Sequence, residues 1–288
     1  MSRLFREMQA AAAGAAGEPI NSAVLTDLLN GVGDDAVAVQ QAAAGPLETC
    51  RHVELPHLHR PLLQPSDEAP STHTAAEAYR SLRTKLTRFQ ATQGVRSVII
   101  SSAVAGEGKT VSALNLAMSL AQLENQRVLL IDGDIRTGGL SRLAGTLQSA
   151  GLTEVLTGQL AFEAALTATN LPRLYMVSAG EANTAVASDL FAGPRWKEFI
   201  SWCNQMFDMV VVDCPPILGL ADFDLMSGAC DGVLLVVRAK KTKRETLTEV
   251  AQHVQSKKVL GLILNGQEKQ HRNRYSYYYY SRAKGAGN

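Results

Sequence analysis

Residues 103–111 read AVAGEGKTV and lie between an apolar run, RSVIISS (96–102), and an amphipathic stretch that begins at Lys109. A loop that cradles phosphate needs this placement between a strand and a helix. Small residues at Ala105, Gly106 and Gly108 let backbone N–H groups turn inward around phosphate oxygens, and the helix start that follows adds favourable partial charge. Lys109 is long enough to reach the β and γ phosphates of a nucleotide, and the Thr110 hydroxyl is a ligand suited to Mg2+. Glu107 and Val111 complete the backbone of the cradle. The strict pattern G-x-x-x-x-G-K-S/T opens on Gly where this chain has Ala103, and Ala serves there if the position keeps a negative φ.

Three aspartates follow apolar runs elsewhere: Asp132 and Asp134 in VLLIDGDIR, and Asp213 in MVVVDCPP. Packing alone explains such residues poorly, because an unpaired buried carboxylate is costly. Each alone could cap a turn or helix, but together with the loop they suit a hydrated Mg2+ that shares nucleotide phosphates with one or two carboxylates. Arg136 fits either a phosphate contact or a local structural pair. At the far end, RYSYYYYSR (274–282) carries Tyr275, Tyr277, Tyr278, Tyr279 and Tyr280, five of the chain's seven tyrosines.

These groups must be positioned by a regular scaffold, and the central part of the chain has the texture of one. The runs 96–102, 127–132, 173–179, 209–213, 233–237 and 260–265 are apolar without period-two alternation, and helical stretches at 109–123, 193–206 and 242–256 separate them. Strands of that kind are buried on both faces, which predicts an α/β fold: a doubly wound, mostly parallel sheet with helices on both sides. Its ligand site belongs beyond the carboxyl ends of the strands, where the loop and the aspartates fall. Residues 1–70, rich in Ala and Pro, read as a small helical module and linker; 71–266 as the α/β domain; and 267–288, with no aliphatic side chain larger than Ala, as a disordered tail. With 288 residues, 46% hydrophobic and 19% charged, the composition is that of a globular protein. A net charge of +1 gives no overall case for nucleic acid. Four unpatterned cysteines exclude zinc and disulfide frameworks, and the absence of a long uncharged apolar stretch predicts a cytoplasmic chain.

The segments EAYRSLRT, AGEGKT, VLLIDGDIR and VVVDCPP, in that order and followed by the tyrosine-rich end, resemble the bacterial tyrosine kinases of exopolysaccharide and capsule synthesis over residues 72–288. The nearest competitor is the chromosome-partitioning and division-site ATPases. That group carries a signature lysine five residues before the loop lysine, where this chain has Val104, and KGG where it has VAG. The kinase family usually has Pro at the position of Ala105.

The resemblance implies ATP and Mg2+ as cofactors, with Lys109 and Thr110 on the nucleotide phosphates and metal, Asp213 completing the metal shell, and Asp132 and Asp134 near the γ-phosphate. A phenol with a pKa near 10 is a weak nucleophile at neutral pH and gains from a carboxylate that accepts its proton. Asp132 is the candidate base, with a metal-ligand role left open beside it. By the same resemblance Asn265 contacts the nucleotide base, although a plain turn residue before Gly266 would look alike. Glu77, Arg80 and Arg83 lie at i, i+3 and i+6 of one helix, a spacing that serves intrahelical ion pairs and that in this family joins subunits into a ring. The resemblance also implies a membrane polysaccharide co-polymerase as activator, a protein tyrosine phosphatase, and a location at the inner face of the plasma membrane through the partner. An ATPase switch without kinase activity uses the same loop and aspartates.

Overall fold

The computed structural model describes residues 47, 50–55, 70–181, 187–254 and 258–266. The tyrosine cluster and the small helical module expected near the N-terminus lie outside them. Eight strands form one sheet in the order β1-β4-β5-β3-β6-β2-β7-β8. They are β1 (Arg51–Val53), β2 (Ser97–Ser102), β3 (Val128–Asp132), β4 (Thr167–Thr169), β5 (Leu174–Val177), β6 (Met209–Asp213), β7 (Gly232–Arg238) and β8 (Val259–Asn265). All neighbours run parallel except β4 and β5, so the expected doubly wound parallel sheet is present. Two strands were not read from the sequence. β1 and β4 are three residues each, too short to carry a hydrophobic period, and they pair with one another at the sheet's edge. The linker segment thereby contributes a strand to the sheet.

The helices are α1 (Pro70–Gln93), α2 (Lys109–Ala121), α3 (Gly139–Leu143), α4 (Leu152–Thr157), α5 (Ala187–Ala192), α6 (Pro194–Met206), α7 (Asp222–Ser227) and α8 (Arg244–His253). Every residue of β2, β3 and β6 is buried, which is why their sequences lack alternation. α2 is buried along Ala113, Leu114, Leu116, Ala117 and Leu120, and α1 lays Tyr79, Leu82, Leu86 and Phe89 against the same core at helical spacing. α6 starts with Pro194 in its first turn, where a missing N–H costs nothing, and buries Trp196, Phe199, Ile200 and Cys203. None of the four cysteines forms a disulfide.

Strand order is what assembles the site. β6 lies between β3 and β2, so the loop that leaves β2 stands beside the ends of both aspartate-bearing strands. In the β3–β6 register Asp132 is the direct partner of Asp213.

Candidate active site

The loop between β2 and α2 is shaped by two glycines with positive φ, Gly106 at 79° and Gly108 at 97°. A Cβ on Gly108 would lie 2.1 Å from Asn265 Nδ2, so the position is closed sterically as well. Ala103 is not among the residues with positive φ, which removes the need for Gly there. Gly108 caps α2, and Lys109 and Thr110 form its first turn.

Lys109 Nζ sits 3.1 Å from Asp134 Oδ2, with both side chains nearly buried. Burial alone would pull the ammonium's pKa down, but the carboxylates of Asp213 and Asp134 more than offset it and the net direction is up. Asp132 and Asp213 have no solvent exposure. Asp132 Oδ2 accepts hydrogen bonds from the Ser141 N–H (2.7 Å) and hydroxyl (2.6 Å), while its Oδ1 is buried with no partner. Burial pushes its pKa up to about 6, against the downward pull of Ser141 and a weaker one from the Asp134 N–H, which stands near without a well-formed hydrogen bond to Oδ1. Both oxygens of Asp213 are buried without a hydrogen bond. Burial drives that carboxyl to about 7, with the Lys109 charge pulling down and Asp132 pushing up. Thr110 stands near enough to lower it somewhat without a well-formed hydrogen bond to either oxygen.

Three buried carboxylate oxygens without donors at the mouth of a phosphate loop form a cation site in chemical character. Among the described residues no three His, Cys, Asp or Glu converge to hold a metal by themselves.

Behind the loop the bonding is of another kind. Glu107, only 2% exposed, accepts from Val104 N (3.2 Å) and from the Thr242 hydroxyl. Arg238 Nη1 donates to Gly106 O at 2.8 Å. Asn265 Nδ2 donates to Glu107 O at 2.9 Å, and its Oδ1 accepts from Gly266 N. Asn265 therefore grips the loop backbone from behind. Arg238 and Thr242 were missed in the sequence. Their position at and just past the end of β7, next to the loop-bearing strand, was the signal that could have found them. Ser141 gave no signal, since it lies on a five-residue helix.

Arg136 resolves to the structural alternative: its guanidinium clasps Asp222 through Nε–Oδ2 (2.6 Å) and Nη2–Oδ1 (3.1 Å) and also reaches Ser188 Oγ. Burial works against the charge of Asp222, but the bonds from Arg136 and Ser188 leave its pKa lowered. On α1, Glu77 and Arg80 pair with each other at the surface. Arg83 instead turns inward and donates to Ser119 O (2.8 Å) and Gln122 Oε1 (3.3 Å) near the end of α2.

Residues 95–260, more than half of the chain, match the AAA domain family model. The tyrosine-protein kinase YwqD of Bacillus subtilis is 33% identical over 205 residues, covering 70% of this chain and 86% of that protein. The tyrosine-protein kinase Wzc of Salmonella typhi is 34% identical over 197 residues, and the match covers 67% of this chain but 27% of that longer protein. Among solved structures, the kinase domain of the Escherichia coli tyrosine kinase ETK superposes with a TM-score of 0.65 at 27% identity, covering 72% of this chain and 81% of that one. The septum site-determining protein MinD of Pyrococcus horikoshii, solved with Mg-ADP, reaches a TM-score of 0.52 at 26% identity over 62% of this chain and 72% of that one. Both the competing ATPase group and the kinases share the nucleotide-binding fold, but kinases of both the short and the long kind match over more of it. The chain belongs to the bacterial tyrosine kinase family.

Proposed function

We propose that the chain is an ATP-dependent protein-tyrosine autokinase whose acceptors are its own Tyr275, Tyr277, Tyr278, Tyr279 and Tyr280. The observation that carries this reading is the trio of donor-free buried oxygens on Asp132 and Asp213 beside Lys109, in a family whose members are named tyrosine kinases.

Ala105, Gly106, Glu107, Gly108, Lys109, Thr110 and Val111 bind the nucleotide phosphates, and Asn265, whose amide ties the loop at Glu107 O, is assigned to the nucleotide base. Mg2+ would be held by Thr110 and Asp213, and when bound it would neutralise charge on the phosphate oxygens. Asp134 keeps the Lys109 ammonium charged and fixed, so that it meets the phosphate without reorganisation. Asp132 has one oxygen pinned by Ser141 and one open, with a pKa of about 6, the form of a base that works near neutrality. It accepts the phenolic proton as the tyrosine oxygen bonds to the γ-phosphorus and ADP leaves. Positioning and charge supply most of the rate in such transfers.

A tail tethered beyond β8 is best delivered to a neighbouring subunit, and the exposed Glu77 and Arg80 of α1 would meet that neighbour in a ring, with Arg83 acting from beneath. The family's polysaccharide role points to a membrane co-polymerase as activator, a phosphatase to reset the tail, and an inner-membrane location through the partner. No described helix is long and apolar enough to cross a membrane.

The test is incubation with ATP and Mg2+, with and without the cytoplasmic segment of the co-polymerase, followed by mass spectrometry of the C-terminal peptide from wild type and Lys109→Met. Phosphate on the tail of wild type alone is expected. ATP hydrolysis with an unmodified tail in both settings would overturn the kinase reading and leave the ATPase switch.

A further inference from the structure

The turn between β7 and α8 reads RAKKTKR over 238–244, five cations in seven residues, with Glu245 the next carboxylate. Arg238, Lys240, Lys241, Lys243 and Arg244 are all exposed. Among the described residues no ion pair engages Lys241, Lys243 or Arg244. The turn is also braced. Lys241 N and Thr242 N both donate to Arg238 O (3.2 and 3.0 Å), Arg238 N bonds to Thr242 Oγ1 (3.0 Å), and the Thr242 hydroxyl is tied to buried Glu107. The cations are thus presented on a fixed frame, which lowers the ordering cost of binding a polyanion.

The C-terminal segment departs from the side of this turn. Ala239 N donates to Asn265 O at 2.8 Å, Arg238 and Asn265 are register partners, and the chain runs on from Gly266 into residues 267–288. Tyr275 lies nine residues beyond Gly266, a contour of roughly 30 Å at about 3.3–3.6 Å per residue, ample for return to a turn hydrogen-bonded to the tail's own root. Unmodified, residues 267–288 carry +4, from five Lys and Arg against Glu268, and the turn repels them. With about −1.5 to −2 per phosphate, five phosphotyrosines bring the segment to roughly −4 to −6, and repulsion becomes attraction. Single exposed charge pairs are weak, but several phosphates on several cations, with a tether that holds them near, act together.

We propose that the turn 238–244 is the docking surface for the phosphorylated C-terminal segment of the same chain. The proposal rests on the autokinase reading for the origin of the phosphates, but the surface itself is testable without it. Docking there withdraws a modified tail from the transfer site of a neighbour and seats it beside Arg238, which holds the phosphate loop at Gly106.

The experiment uses the full chain with the five tail tyrosines changed to Phe and a fluorescent synthetic peptide of residues 267–288, either unmodified or carrying five phosphotyrosines. Anisotropy should show the phosphopeptide binding at least about ten-fold tighter than the unmodified one, with the difference shrinking as ionic strength rises from about 0.1 to about 1 M. Lys241→Gln/Lys243→Gln/Arg244→Gln, which spares the residues touching the loop, should lose that preference, and Lys241→Arg/Lys243→Arg should keep it. A full chain whose own tail is phosphorylated, made by ligating the phosphopeptide after Gly266, should bind the labelled phosphopeptide at least about ten-fold more weakly, because its site is filled in cis. Equal binding by the Gln variant, equal binding of a peptide with Glu at all five tyrosines, no self-competition, or binding of anionic vesicles without the phosphopeptide would each overturn the proposal. A tail that never gains phosphate from ATP while the synthetic phosphopeptide still docks would instead sink the autokinase reading alone.

Discussion

The two sides of the phosphate loop are built on opposite terms. On the sheet side, Asp132 and Asp213 are fully buried and keep three carboxylate oxygens without donors. On the far side, Glu107 is almost as buried, yet both its carboxylate oxygens and its carbonyl are hydrogen-bonded. A buried carboxylate is tolerable when its partners are present. The same group left short of partners is a standing cost, kept where something else is meant to complete it. Glu107 therefore belongs to the frame, whereas Asp213 carries the reactive role we propose for it, although both are acids at the same loop.

The largest break in this contrast comes from the reactive side. Lys109→Met removes the ammonium that faces Asp134 and Asp213 and should cut tail phosphorylation by about 10²–10³ or more, the usual cost of losing one preorganised donor. The loss should appear in kcat, with the fold retained by circular dichroism. A variant that keeps wild-type turnover would show that the ammonium does not meet the transferred phosphate.

The strain on the same side should be visible without catalysis. Asp132 and Asp213 titrate at about 6 and about 7 in the folded chain, against about 3.9 unfolded. The native state then holds protons that the unfolded state has released, so stability is full below about pH 4 and is lost as pH rises through 6 and 7. A rise of two units corresponds to about 3 kcal/mol for one carboxyl. In EDTA, thermal unfolding between pH 4.5 and 8 should show this fall, Asp213→Asn should flatten it by about one proton, and Mg2+ with nucleotide should restore stability most at the alkaline end. An unchanged slope in Asp213→Asn would mean that the carboxylate is already neutralised by Lys109.

The frame side should respond in binding and spare the chemistry. Thr242→Val leaves one Glu107 oxygen without its donor, a cost of about 1–3 kcal/mol. Nucleotide affinity by calorimetry should weaken while kcat at saturation stays near wild type. Gly108→Ala tests the same frame by force, since its Cβ would drive into the Asn265 amide at a backbone angle that Ala rarely adopts. A loss in kcat without a loss of affinity would move this side into the reaction.

The sequence made one of these sides legible and hid the other. The loop, the three aspartates and the buried strands announce themselves because they are local patterns: glycines at fixed offsets, acids straight after unbroken apolar runs, a period of 3.6 from Lys109 onward. Their convergence was also readable, because parallel strands present their carboxyl ends together. Arg238, Thr242 and Ser141 left no such trace. Arg238 and Thr242 act on loop residues more than 130 positions away, Thr242 on Glu107 across 135, and Ser141 meets Asp132 only because a short helix folds back on the strand end. β1 and β4 stayed hidden for a related reason, since three residues such as TAT carry too little pattern to name a strand. Arg136 read equally as phosphate ligand or structural pair, and only the position of Asp222 decides it.

The smallest expected effect separates packing from assembly on α1. Glu77 and Arg80 spend their charges on each other at the surface, and an exposed pair of that kind contributes little to stability. Arg83, three residues on, holds the Ser119 carbonyl near the end of α2, the helix that opens with Lys109. Arg83→Ala should therefore cost about 1 kcal/mol of stability and leave a slightly loosened α2, whereas Glu77→Ala and Arg80→Ala should leave the unfolding temperature of the subunit within error. If α1 meets a neighbouring subunit through its exposed charges, light scattering should show Arg80→Ala shifting toward monomers and Arg83→Ala doing so in proportion to its lost stability. Equal dissociation by both at unequal stability would place Arg83 at the interface as well. Its guanidinium has donors beyond the two that serve Ser119 and Gln122, so one side chain could tie α2 and a neighbour at once, and the double variant would then dissociate no further than either single one.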